Sequence, residues 1–207
     1  MQSSIIEYHH GLPNTLRREA ALLYDQAFGI KIAPAIPNRT KRIDLLAQTF
    51  NTAFAICAIA DDHLVGLAGF QTEQGSLTSG LNSEALQTHL GYWRGRWADR
   101  VLSWYEQENT HKVLLVDGIT VHSQWRGLGI GTLLLNQLQD YAHHQGLQIL
   151  RLNVINSNVA ARRLYERYGF TASKTHSLVC YRRWLLGFDG IITMDLKLTA
   201  VCSGNNR

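Results

Sequence analysis

Three glycines at alternate positions, in Arg126-Gly127-Leu128-Gly129-Ile130-Gly131-Thr132, separate a β-branched, apolar run from Val113 to Val121 from a helical pattern that continues to His144. A strand that meets a helix through such a turn gathers the N–H groups of the helix start, and glycine lets an anion approach them closely. The helix adds the partial positive charge of its own N-terminus. A glycine cluster alone also fits an ordinary strand-to-helix turn, so the neighbouring residues decide what it holds.

Two familiar phosphate patterns are excluded by local detail. A dinucleotide fold wants Gly-x-Gly-x-x-Gly and an acidic residue closing the next strand. Here the glycines alternate, and no acidic residue ends the strand expected at Ile149 to Val154. An ATP-binding loop needs lysine before its serine or threonine, and Thr132 follows Gly131.

Downstream stands Asn158-Val-Ala-Ala161-Arg-Arg-Leu164-Tyr165-Glu-Arg-Tyr-Gly169-Phe170. Taken with the glycine turn, the unit from Val113 to Phe170 resembles the core of the GCN5-related N-acetyltransferase (GNAT) superfamily. Arg126, Gly129 and Gly131 fit that family's pyrophosphate pattern. Asn158, Ala161, Leu164, Tyr165, Gly169 and Phe170 fit its second signature. The resemblance implies an α/β fold: a mixed, mostly antiparallel sheet of about six to seven strands, a parallel splayed pair at the cofactor site, and helices on both faces.

The resemblance also implies acetyl-CoA as acyl donor, with no metal. The cofactor residues it carries over are Ile119, Thr120, Val121, Arg126, Gly127, Leu128, Gly129, Ile130, Gly131, Thr132, Asn158, Ala161 and Tyr165. Val121 looks like the strand residue whose backbone bonds the pantetheine arm, and Tyr165 like the general acid beside the sulfur. Tyr165 also fits plain packing beside Ala161, Leu164 and Tyr168. Asn158 suits a helix N-cap whether or not it meets the ligand. Arg126 either neutralises pyrophosphate charge or is a solvated turn residue. Asp117 is the candidate base, because Asp117, Ile119 and Val121 alternate onto one strand face; a carboxylate tied to nearby backbone is the other reading.

The chain of 207 residues, 45% apolar and 17% charged, is ordinary for a globular protein, and its formal charge of +4 is scattered. Neither a nucleic-acid surface nor a membrane span is expected, and the absence of a secretory pattern predicts a cytoplasmic protein. Cys57, Cys180 and Cys202 suggest neither a disulfide framework nor a zinc site. Residues 1–201 are expected to form one N-acetyltransferase domain, with a helical insertion at about 72–110 and a disordered tail at 202–207.

Before the glycine turn the pattern predicts a strand over Ser4 to Tyr8 and a helix from Pro13 to Gly29. A loop at Pro34 and Pro37 follows, then a helix over Lys41 to Phe50 and a hairpin of Ala53 to Ala60 and Leu64 to Gln71. One or two helices are expected over Ser83 to Gln107. There Trp93, Trp97, Val101 and Trp104 form a stripe that is either core or the border of an acceptor pocket. After Phe170, strands are predicted at Thr171 to Leu178 and Ile191 to Leu198. The stretch Tyr181 to Phe188 between them suits an acceptor site or a dimer contact.

The expected activity is acetyl transfer from acetyl-CoA to a primary amine of unknown identity, by direct attack in a ternary complex, in a monomer or homodimer. A non-catalytic module that senses CoA or acetyl-CoA is the alternative, and a nucleotide-phosphate binding protein is a weaker third.

Overall fold

The structure is a computed structural model, which describes residues 5–102, 111–177 and 190–198, with the side chains of 176 and 177 excluded. Trp104, the stretch Tyr181 to Phe188 and the tail from Cys202 therefore lie outside the described residues.

One sheet runs through the structure. Its strands are β1 (Glu7–His10), β2 (Ala55–Ala60), β3 (His63–Thr72), β4 (Gly75–Ser76), β5 (Val113–Val121), β6 (Ile149–Ile155), β7 (Thr171–Ser177) and β8 (Gly190–Lys197). Their order is β1-β2-β3-β5-β6-β8-β7, and the two-residue β4 pairs with β3, so the sheet has eight strands. Only β5 and β6 run parallel; the other pairs are antiparallel. A helix joins this parallel pair, as a crossover connection requires.

The helices are α1 (Arg17–Ile32), α2 (Arg39–Thr49), α3 (Ser83–Leu90), α4 (Tyr92–Leu102), α5 (Ile130–His144) and α6 (Val159–Tyr168). A Cβ at Gly66 would meet Ile130 and Leu134 of α5, and one at Gly118 would meet the Phe28 ring of α1. Gly66 and Gly69 of β3 pair with Val121 and Gly118 of β5. Residues three apart on a strand face opposite sides, so α1 and α5 cover opposite faces of the sheet. The core between them contains Leu23, Ile56, Leu67, Phe70, Leu114, Leu134 and Leu150, all under 5% exposed. No helix among the described residues is long and apolar enough to cross a membrane.

Local chemistry explains several boundaries. Asp61 and Asp62 both take positive φ, 50° and 62°, between the paired Ala60 and His63. That is the geometry of a two-residue hairpin turn matched to strand twist. Asn38, Asn82 and Asn158 cap α2, α3 and α6, each accepting a backbone N–H through its side chain. Asp25 of α1, with its side chain 2% exposed, meets Arg39 and the nearly buried Arg42 of α2 and so fixes that helix pair.

Two expectations are corrected. The first strand among the described residues is Glu7–His10, so Ile5 and Ile6 precede it and it runs past Tyr8 to His10, paired with Ile59 to Ile56 of β2. Of the stripe on α4, the core reading fails for Trp93 and Trp97, which are 82% and 52% exposed, and holds for Val101, which is buried with Gly95 and Ala98. Small residues win the buried face because α4 packs against α3 closely enough that a Cβ at Gly95 would meet the Gln87 backbone.

Candidate active site

The parallel pair holds together for only half its length. β5 and β6 are in register from Val113 and Ile149 to Val116 and Leu152, and pairing stops there. Beyond that point β5 continues against β3 as far as Val121, while β6 continues against β8 as far as Ile155. The facing edges of 117–121 and 153–155 are thus left without each other, which opens a cleft whose walls are main-chain N–H and C=O groups.

Asp117 stands where the strands part. The register with β3 jumps from Gly69 opposite Gly118 to Phe70 opposite Val116, so Asp117 is the extra residue of a β-bulge. The bulge corrects the simple alternation of Asp117, Ile119 and Val121. Asp117 turns with Gly118 toward α1, where its Cβ lies 3.5 Å from the position of a Cβ on Gly69 and its charge acts on Tyr24 and Lys31.

The side chain is half-buried, and Oδ2 is buried with no hydrogen-bond partner among the described residues. Burial pushes its pKa up to about 7, against the opposing pull of the Lys31 ammonium. Burial also lowers the pKa of Lys31, while Asp117 pulls it back up. Tyr24 is raised by burial and then by the Asp117 charge, so its phenol stays neutral. The Lys31 Nζ lies 5.8 Å from the centre of the Phe28 ring, the ring that covers Gly118. A carboxylate in such a place can accept a proton near neutral pH.

The glycine turn is built to leave its amides free. Gly127 and Gly129 both take φ 81°, and a Cβ on either would meet nothing within 4 Å. Gly129 is the N-cap of α5 in the left-handed region, without a side-chain cap, and the first turn carries no acidic residue. Among the described residues, no hydrogen bond takes up the N–H groups of 127–132 outside the helix ladder, which begins with Leu133 N–H on Gly129 O at 3.1 Å. Ile130 is 1% exposed and pins the helix start against Gly66, whereas Leu128 is 62% exposed. A Cβ on Gly131 would lie 3.4 Å from Leu164 of α6. Thr132 is exposed.

Arg126 donates from Nε to the carbonyl of Val121 at 3.1 Å, tying the turn back to the strand end. Ile119 and Val121 are partly buried, and Thr120 is buried with its hydroxyl donating to Leu23 O at 3.5 Å. The Thr120 side chain is thus directed at α1, which leaves its main chain as the part facing the cleft.

Helix α6 lies beside α5. The Asn158 side chain accepts the Ala161 N–H at 3.1 Å, so the N-cap role is present. Tyr165 is 8% exposed, with its ring edge-on to Phe170 at 5.7 Å, and burial raises its phenol to about 12. It keeps its proton at neutral pH. Tyr168 donates to Asn136 Oδ1 at 2.8 Å and so ties α6 to α5. A cavity of 230 Å³ lies between the two helices, lined by Thr132, Leu164, Arg167 and Tyr168.

Sequence reasoning missed the α1 side of this site. Tyr24, Phe28 and Lys31 gather around Asp117 only because of the bulge, and no period in the sequence announces it. The one available hint is Gly118 inside an apolar strand, a residue that often marks a bulge or a close approach.

Comparison with known proteins bears on the family and the fold. A family model described as acetyltransferase (GNAT) family matches residues 24–170. A Xenopus tropicalis protein described as a probable N-acetyltransferase, camello, is 38% identical over 65 residues, which is 31% of this chain and 30% of that protein. The chain thus matches under a third of that relative's length.

Among solved structures, the ribosomal-protein-S18-alanine N-acetyltransferase of Escherichia coli superposes with TM-score 0.56 at 16% identity, covering 98% of this chain and 100% of that one. A Salmonella typhimurium protein solved with its cofactor acetyl-CoA gives TM-score 0.58 at 15% identity, covering 98% and 99%. These two likenesses concern the fold. With the family model spanning most of its length, the chain belongs to the GNAT family of acetyltransferases.

Proposed function

We propose that this protein transfers the acetyl group of acetyl-CoA to a primary amine by direct attack, with both substrates held in the cleft between β5 and β6. The observation that carries this reading is the cleft itself, which opens at a half-buried carboxylate and has unpaired helix-start amides at its other end. These residues suit a diphosphate joined to a long amide-bearing arm. The open space before Gly127 and Gly129 admits phosphate oxygens, and the unpaired edge of 119–121 offers main-chain partners to the arm.

Acetyl-CoA supplies a thioester carbonyl that an amine can attack. The chain's own residues do the rest. The N–H groups of 128–132 bind the diphosphate, and the edge of Ile119 to Val121 aims the arm toward Asp117. Asp117, poised near pH 7, takes a proton from the acceptor ammonium, directly or through water. Tyr165 retains its proton to about pH 12 and delivers it to the departing sulfur. Asn158 and Ala161 fix the start of the helix that carries Tyr165.

The test is calorimetric titration with acetyl-CoA, followed by thiol release during incubation with a panel of amines. Tight binding with amine-dependent release supports the proposal. Binding without release for every amine would leave a CoA-sensing module, and binding of ATP instead would point to a nucleotide-phosphate protein.

A further inference from the structure

A second cavity, of 420 Å³, lies away from the glycine turn, between the link that joins α1 to α2 and the helix pair α3 and α4. Its size falls within the roughly 300–1,000 Å³ common for small-molecule sites. Pro34, Ile36, Leu90 and Trp97 give it apolar walls, and Lys41 and Arg94 are the charged residues that line it. No carboxylate lines it, and among the described residues neither cation is in an ion pair. The first turn of α2, which holds Lys41, carries no acidic residue.

Trp97 reaches across to the link with its indole N–H, 3.5 Å from Pro34 O. Trp97 is 52% exposed and lines the cavity. Apolar walls combined with two uncompensated cations complement a molecule with an apolar body and an anionic end. The link that lines the cavity leaves directly from the C-terminal end of α1, the helix that carries Lys31. Pro34 follows Lys31 by three residues, about 5 Å along a helical path, and Lys31 is the residue whose charge acts on Asp117.

We propose that this cavity is the acceptor subsite and that the acceptor is a small amine with an apolar body and a carboxylate, as in an apolar amino acid. Arg94 and Lys41 hold the carboxylate, Trp97 and Ile36 enclose the body, and the amine is directed toward Asp117. This rests on the acetyl-transfer reading. In the step, the amine nitrogen bonds to the acetyl carbon and the carbon–sulfur bond breaks. Starting from the ammonium, the nitrogen loses one proton to Asp117 before the attack and a second as the amide forms, sulfur takes up one, and the products are an amide, a free thiol and one proton released to solvent.

The experiment compares L-phenylalanine with 2-phenylethylamine, which has the same body without the carboxylate, as acceptors for the full chain. A kcat/KM for phenylalanine about tenfold or more above that for phenylethylamine is expected, falling to near parity in the Lys41→Glu, Arg94→Glu double variant. A ratio at or below one, or a ratio that survives the charge reversal, overturns the proposal.

Equilibrium binding of N-acetyl-L-phenylalanine, measured by calorimetry without acetyl-CoA, separates the two readings. Binding that weakens about tenfold in the double variant, with no acetyl transfer to either amine, would keep the subsite and remove the transfer activity. Acetyl transfer without any such binding, or an absence of both, removes the subsite. Trp97→Ala, a change at an exposed position that leaves the core intact, is expected to weaken binding in the same assay.

Discussion

The Phe28 ring of α1 lies so close over Gly118 of β5 that a Cβ on that residue would enter the ring's van der Waals shell. The contact sits beside the bulge at Asp117, so the absence of a side chain at one position fixes how the carboxylate next to it meets α1. Gly118→Ala is therefore expected to destabilise the fold by about 1–3 kcal/mol through overpacking. Thermal unfolding checks this, and Phe28→Leu in the same chain should restore part of the loss.

Asp117 makes two opposite predictions on one pH axis. Its carboxyl keeps a proton up to about pH 7 in the folded chain, whereas an unfolded aspartate loses it near pH 4. The folded state then binds more protons between about pH 4 and 7, and its stability falls as pH rises through that window. Denaturation across this range should show that slope in the wild type and lose it in Asp117→Asn. As a base Asp117 must be ionised, so kcat/KM should rise with pH through about 7. Lys31→Met removes the charge that favours the carboxylate and should move this limb to higher pH.

Tyr165→Phe should lower kcat by about tenfold while leaving acetyl-CoA affinity nearly unchanged, since a thiol is already a fair leaving group and needs only modest help. Single-turnover kinetics beside a binding titration separate the two effects. An unchanged rate across the pH range would leave this tyrosine as packing against Phe170.

The buried pair of Asp25 with Arg42, and the outer pair with Arg39, join α1 to α2. Asp25→Ala leaves the Arg42 guanidinium buried without its counter-charge and should reduce stability by about 3–5 kcal/mol. Chemical denaturation measures it. The Arg18 pair with Asp44 is solvent-exposed, and its removal should change stability by less than about 1 kcal/mol.

Where the sequence was legible, local chemistry and long apolar periods agreed. The strand at Val113–Val121, the helix that begins at Ile130 and the cap at Asn158 could be read because each is fixed by residues adjacent in the chain. Legibility failed where a distant partner decides. The bulge at Asp117 depends on β3, so the face of the carboxylate was misplaced. The α4 stripe is divided in the fold: close approach to α3 buries Gly95, and Val101 of the stripe is buried with it, while Trp93 and Trp97 are left exposed. The cavity with Arg94 and Lys41 joins segments far apart in the chain, so no motif records it.

Gly129→Glu should keep the fold at a penalty of about 1–2 kcal/mol for a side chain in the left-handed region, while placing bulk and negative charge where phosphate oxygens belong. Acetyl-CoA binding should be lost in a variant whose circular dichroism is native.

The most direct measurement is an amide-resolved NMR titration of the full chain with CoA. The account predicts saturable binding, with the largest shifts at the N–H groups of 128–132 and further shifts along 119–121. Saturable binding that leaves those amides unmoved, with the shifts gathered elsewhere on the surface, would contradict it.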